Sequence, residues 1–365
     1  MPRRYPADKG MKETRAWNVP HYKRLHNCLL TSLGEEYLAQ TSYLEFDAAD
    51  EVVKDEKLRS LAVCGKEELN VVIGGTFHFG ARHFGRVSGE DIWARSTIDS
   101  YESLGYTFLY AFEIIESMEI NLEIPSLVHM VMAEAGHIKD CSSPDYEPHE
   151  NWRCVKSEGF EEGLPIWKMF SWHFWESPAH PLGHQFTLAP EDYARYPSRQ
   201  GKENNLYIGY SIESYCANVQ PEADRERRAY ILAKHASYFE PPAYKYSTDV
   251  FERIKGSSGI DFIAGSGKQG DRLPDEGIEN MGMMPSDRFV QELGKSQALI
   301  GIGKPIISPT PYDALCMGVP FINPVMQWST ENPEDRSLWT WQHEGLANVE
   351  APYVYTVVSS LNVVS

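Results

Sequence analysis

The sequence predicts an α/β protein with two Rossmann-like, doubly wound domains facing a cleft, and three observations lead to that expectation. Short apolar runs alternate with helical stretches in both halves of the chain, which is the pattern of parallel sheets joined by crossover helices. Glycines stand where strands are expected to end, at Gly74-Gly75, Gly265 and Gly303. A chain of 365 residues with 42% hydrophobic content also has room for two globular domains at roughly 100–200 residues each.

The elements follow in order. Residues 1–60 are a charged, irregular lead-in with an expected helix over Asn27–Gln40. Leu69–Ile73 reads as a buried strand, Ser88-Gly89-Glu90-Asp91 as a capping box opening a helix to Leu104, and Thr107–Ala111 and Leu127–Met132 as further strands. From Cys141 to Pro197 the chain is rich in Pro, Trp, His and Tyr without periodicity, and reads as a long connecting or active-site segment. The second half alternates more regularly. Strands are expected at Leu206–Ile212, Ala229–Ala233, Gly259–Ala264, Ala298–Ile302, Val319–Asn323 and Tyr353–Val357, with helices capped by Ser247 and Ser286 and a short one at Pro311–Met317. The expected domains are 61–197 and 198–358, and in such sheets ligands bind outside the carboxyl ends of the strands.

Charge and composition exclude several classes. A net charge of -18 argues against nucleic acid, whose binding needs clustered Lys and Arg. The cysteines lack the paired C-x-x-C spacing of a zinc site; Cys141 with Cys154 is the local bridge to consider, against two free thiols. No apolar run has the ~18–20 residues of a membrane helix, and the start lacks the apolar core of a signal peptide. With no helix expected after Tyr353–Val357, the chain reads either as truncated at both ends or as a compact relative of a longer protein.

The segment from Leu299 to Pro324 is the most informative. A buried strand, a glycine turn, a proline-initiated helix with Asp313 in its first turn and a glycine stop before the next strand put backbone N–H groups and a carboxylate at the mouth of a cleft. Those groups suit a nucleoside diphosphate, the N–H groups for phosphate and the carboxylate for ribose; equally, Asp313 could only complement the helix dipole. Trp167, Lys168, Trp172, His173 and Trp175 cluster in the long segment, as a carbohydrate platform or as core. No Asp-x-Asp pair occurs, and His78 with His83, like His173, His180 and His184, sits among glycines and prolines rather than on a helix that would present a metal pair on one face, so no metal is expected.

The order strand, Gly-x-Gly, Pro-x-Pro, acid, Ala, then Gly and an apolar pair before Asn-Pro resembles the donor-site signature of family 18 glycosyltransferases, the α-1,6-mannosyl-glycoprotein 6-β-N-acetylglucosaminyltransferases, and in particular their fungal branch. Phe186–Tyr193, Asn205–Tyr215, Ile231–Phe239, Gly265-Ser266 and Trp341-Gln342-His343 to Val357 resemble family segments in the same order, so that the likeness spans about residues 165–358. The resemblance implies the two-domain GT-B arrangement and an inverting, metal-independent transfer of N-acetylglucosamine from a UDP donor to the 6-hydroxyl of α-mannose on an N-glycan, in the Golgi. UDP-N-acetylglucosamine is then a substrate, and no cofactor is implied.

Residue by residue, the resemblance makes Glu90 the catalytic base, with Asp91 and Glu134 as other acids near element ends. It puts Lys234 on the diphosphate, Glu213 on sugar or ribose hydroxyls, and Ser266 with Pro309, Thr310, Pro311 and Asp313 around the nucleotide; Trp167 is a candidate sugar contact. Asp313 stands where the family usually has Glu, and Ser308 where it has Gly. A related transferase with another donor or acceptor, or a non-catalytic fragment that binds nucleotide sugar, are the alternatives.

Overall fold

The computed structural model describes residues 16–28, 65, 67–81, 88–142, 153–175, 180–196, 202, 204–217 and 219–358. The chain forms two compact units, Met1–Glu191 with Glu203–Tyr210, and Asp192–Lys202 with Ser211–Ser365.

The first unit is built on a six-stranded sheet of order β2-β1-β3-β4-β5-β6. Its strands are β1 (Val71–Gly74), β2 (Thr107–Tyr110), β3 (Val128–Glu134), β4 (Met169–Trp172), β5 (Thr187–Ala189) and β6 (Leu206–Tyr207), all paired in parallel. Every residue of β1 and β2 is buried, as expected of parallel strands covered on both faces. Helix Gly89–Ser103 lies between β1 and β2 in the chain, and helix Ile114–Glu123, absent from the sequence reading, between β2 and β3. Trp93 of the first helix stacks on Trp172 of β4 with ring centroids 3.9 Å apart. Ile73, Ile114, Val131 and Ile138 belong to a separate buried cluster. At the sheet's edge the amide of Asn18, from a helical stretch over 16–28, donates to the Tyr110 carbonyl at 2.7 Å and accepts from its N–H at 2.9 Å. It satisfies backbone groups of β2 that an edge strand would leave unpaired.

The second unit has a seven-stranded sheet of order β12-β11-β10-β7-β8-β9, with β13 also paired to β11. Its strands are β7 (Arg228–Ile231), β8 (Asp261–Ala264), β9 (Ile278–Asn280), β10 (Ala298–Ile300), β11 (Phe321–Gln327), β12 (Thr340–Trp341) and β13 (Val354–Val358). All pairings are parallel except β11 with β12. Helices Val250–Ser258, Ser286–Gly294 and Thr310–Cys316 alternate with these strands along the chain.

Several expectations need correction. The segment Leu206–Ile212, expected in the second domain, supplies β6, which pairs with β5 and belongs to the first sheet. Both its residues are exposed, so this edge strand has little buried apolar surface to mark its allegiance. The segment 141–197 is more than a connector, since it supplies β4 and β5. The expected Asn27–Gln40 helix lies outside the described residues beyond position 28, where the backbone is already helical from residue 16. Ser247 does not cap the next helix, which begins at Val250 behind Asp249. Its first-turn N–H groups of Phe251 and Glu252 donate instead to the buried carboxylate of Asp275, at 2.8 and 3.2 Å. A partner 24 positions away is invisible to a local capping motif. Pro285, not Ser286, occupies the N-cap position of the following helix.

Two disulfides join described residues, Cys141–Cys154 and Cys216–Cys316. The second spans 100 residues and ties helix Glu213–Cys216 to the end of helix Thr310–Cys316. Closing a loop of that length restricts the unfolded chain by ~4–5 kcal/mol in the chain-entropy account. Replacing Cys216 and Cys316 together by Ala should therefore lower the unfolding free energy of the second unit by about 2–5 kcal/mol, read from denaturant midpoints under non-reducing conditions; an unchanged midpoint would contradict it.

Candidate functional site

In the second unit the chain enters the sheet at β7, adds β8 and β9 on one side, then returns to add β10 and β11 on the other. Strand order reverses between β7 and β10, so the connections leaving their carboxyl ends diverge and open a crevice. Lys234 lies just past β7 with its side chain exposed. Ser266 follows β8, and the next N–H, that of Gly267, donates to the Lys234 carbonyl at 3.4 Å, so these two loops touch. Beyond β10 the chain runs through Gly301–Ser308 to Pro309, the N-cap of helix Thr310–Cys316, where Pro311 and Asp313 are buried and Thr310 is half-buried. Lys234, Ser266 and Pro309–Asp313 thus follow three neighbouring strands at one edge of one sheet.

The loop after β10 holds an unusual backbone. Gly303 has φ 112°, and a Cβ there would collide with the Ala243 carbonyl. Ile307 is buried with φ 50°, a left-handed conformation that costs a β-branched residue roughly 1–3 kcal/mol. Neighbouring bonds over-determine the shape. The Gln342 side chain accepts from Gly303 N–H at 2.7 Å and donates to the Pro305 carbonyl at 2.9 Å, while the Gln342 backbone carbonyl accepts from Ile307 N–H at 3.1 Å. His343 Nε2 lies 3.1 Å from the Ser308 carbonyl, and the Asn323 amide of β11 brackets the His343 backbone at 3.0 and 3.1 Å. Sequence reasoning noted Trp341-Gln342-His343 as a likeness but missed its role, since the loop it holds lies nearly forty positions upstream.

Ser266 Oγ is buried and has no hydrogen-bond partner among the described residues. An unmet buried hydroxyl costs about 1–3 kcal/mol, a deficit that an acceptor such as a phosphate oxygen would relieve. Glu213 is exposed at the start of its short helix, where its N–H donates to Ser211 Oγ at 3.1 Å. That helix is tied covalently to helix Thr310–Cys316 through Cys216–Cys316.

The first unit has its own reversal, between β1 and β3. Glu90 lies there, half-buried in the first turn of helix Gly89–Ser103, its side chain making no hydrogen bond or ion pair to a described residue. Asp91 beside it is buried. Its carboxylate accepts from Ser88 N–H at 2.8 Å and sits 2.9 Å from His78 Nδ1. Burial alone would raise the Asp91 pKa, but the bond and charge of His78 and the Ser88 donors outweigh it and hold the carboxyl below its usual value. Glu134, at the end of β3, is half-exposed. Trp167 is 60% exposed but precedes β4, at the amino edge, opposite to where parallel sheets bind ligands. Lys168 next to it is consumed structurally, its buried ammonium donating to the Pro125 carbonyl at 2.7 Å. Trp175, 40% exposed, follows β4 at the carboxyl edge instead.

Among the described residues no group of three or more His, Cys, Asp or Glu is placed to hold a metal ion, and no helix is long and apolar enough to cross a membrane.

Burial pushes the His343 imidazole down to about 4 against a weaker upward pull from the Ser308 carbonyl. The folded unit therefore holds it neutral, whereas the unfolded chain titrates near ~6.5. Above that value both states are neutral and stability is at its full level; as pH falls toward 4 the unfolded state takes up a proton that the folded state refuses, and stability is lost. Urea unfolding at pH 7.5 and 4.5 should show about 2–3 kcal/mol more loss for the wild type than for His343→Gln; equal losses would contradict this.

No protein-family model matches the chain, and no curated protein gives a significant match. Solved structures give distant likenesses. An α-glucosyltransferase in complex with UDP and a 13-mer DNA containing an HMU base is 6% identical with a TM-score of 0.43, covering 69% of this chain and 79% of that one. The E. coli heptosyltransferase WaaC with ADP is 12% identical with a TM-score of 0.30, covering 79% of this chain and 93% of that one.

Proposed function

We propose that the chain is a nucleotide-sugar glycosyltransferase, and specifically that it moves N-acetylglucosamine from UDP-N-acetylglucosamine to the 6-hydroxyl of an α-mannose on N-glycans of glycoproteins, with inversion and without a metal. The observation that supports this most is that the family-like segment Leu299–Pro324 leaves the sheet at the reversal of strand order, beside the loops of Lys234 and Ser266. A crevice of that kind, with a cation, an orphaned hydroxyl and a braced glycine loop, suits a nucleoside diphosphate.

In this reading the Lys234 ammonium faces the diphosphate and offsets the charge that builds on the leaving UDP, the part a metal plays elsewhere. Ser266 Oγ donates to a phosphate oxygen. Pro309, Thr310 and Pro311 shape the wall, Asp313 accepts from ribose hydroxyls, and Glu213 holds sugar or ribose hydroxyls. Glu90 takes the proton of the mannose 6-hydroxyl as its oxygen attacks C1 from the face opposite the diphosphate, which inverts that carbon in a single displacement. Among the aromatic cluster, Trp175 is better sited than Trp167 for a sugar face. The Golgi lumen is the compartment that such an acceptor implies.

UDP should bind in the presence of chelator, read by calorimetry; binding seen only after Mn(II) is added would contradict the metal-free reading. Lys234→Ala should weaken UDP far more than uridine, since it removes a phosphate contact alone, whereas Asp313→Ala should weaken both. Glu90→Gln should keep donor binding and lose transfer by about 10²–10⁴. A Glu90→Gln variant with wild-type transfer would remove Glu90 from the mechanism.

A further inference from the structure

His78 is the second residue of the short helix after β1, at the reversal of strand order in the first sheet. Its Nδ1 lies 2.9 Å from Asp91 Oδ1. The side chains are 13% and 2% exposed, so the carboxylate is sealed while part of the imidazole reaches the surface. Phe77 flanks the imidazole with ring centroids 3.9 Å apart, and Trp172 with centroids 5.7 Å apart. Among the described residues Nε2 has no hydrogen-bond partner, and it is not among the buried unsatisfied atoms.

Asp91 fixes the tautomer. Its Oδ2 is committed to the Ser88 N–H at 2.8 Å as half of a capping box. Oδ1 faces His78 Nδ1, and an ionised carboxylate can only accept. In the neutral imidazole the proton therefore stays on Nδ1, and Nε2 presents a lone pair. A lone pair held in one direction beside an aromatic ring calls for a hydroxyl donor carried on an apolar body, which describes a sugar better than it does a phosphate or carboxylate.

We propose that His78 Nε2 is a hydroxyl-binding group for the acceptor saccharide, oriented by Asp91. The acceptor role rests on the glycosyl-transfer reading, because His78 shares its unit with Glu90; the sugar-hydroxyl site itself does not. Asp91 is then a positioning residue. In Asp91→Asn the single amide oxygen must serve the Ser88 N–H, the amide NH₂ turns toward Nδ1, and Nε2 becomes a donor.

The test uses the full chain labelled with ¹³C at histidine, titrated with methyl α-mannoside while the imidazole resonances are recorded. A saturable shift of His78, lost in Asp91→Asn and not produced by UDP, is the expected result. In transfer assays His78→Ala should raise the acceptor KM about 10–100-fold, equivalent to a hydrogen bond whose loss strands its partner, and leave the donor KM unchanged. Wild-type transfer with His78 unmoved by mannoside and the acceptor KM unmoved by His78→Ala would overturn the inference and leave the transferase reading standing. A mannoside shift at His78 in a chain that transfers from no donor would support the sugar site and overturn the transferase reading. Neither shift nor transfer would overturn both.

Discussion

A parallel sheet that the chain enters at its middle has to send its crossovers in opposite directions, and that constraint organises both units. It occurs between β1 and β3 and again between β7 and β10. At each point the connections from two adjacent strands diverge, and the carboxyl ends are left uncovered by the crossovers. The residues of the proposed sites gather there. His78, Asp91 and Glu90 lie at the first reversal; Lys234, Ser266 and the Gly301–Asp313 loop lie at the second. Position relative to strand direction also separates Trp175, at a carboxyl end, from Trp167, at an amino end, although the two stand only eight residues apart in the sequence.

Around the second reversal, polar bonds stabilise what local propensity would not. Ile307 does not choose a left-handed backbone unaided, and Gly303 cannot carry a side chain against Ala243. The side chains of Gln342, His343 and Asn323 supply the missing constraints, each paired to backbone groups in or beside the loop. Enforced backbone strain next to a crevice is a feature of ligand sites, where a preformed shape saves ordering cost at binding. The orphaned hydroxyl of Ser266 is a comparable local cost in the adjacent loop.

Much of this was legible in the residues. The β1 run Val71-Val72-Ile73, the capping box at Ser88 and Asp91 and the strand–glycine–proline–helix order from Ala298 to Cys316 are local signals, and the corresponding elements lie within a few residues of where they were expected. What escaped depends on contacts distant in sequence. Asp275 caps a helix begun at Val250, Gln342 braces a loop begun at Gly301, and Cys216 pairs with Cys316. None leaves a periodic or adjacent trace. Edge strand β6 gives no sequence signal for its sheet, because its two exposed residues bury too little to declare one. His78 was weighed only as a metal ligand, since its tie to Asp91 appears once the chain has folded back between β1 and the following helix.

The proposed ligand of the reversal between β7 and β10 is a nucleoside diphosphate. Hydrogen exchange by mass spectrometry, with and without millimolar UDP in chelator, tests it most directly. The account predicts added protection confined to peptides covering residues 232–240, 265–271 and 301–313. Protection absent from all three, or found only in peptides of the first unit, would contradict it.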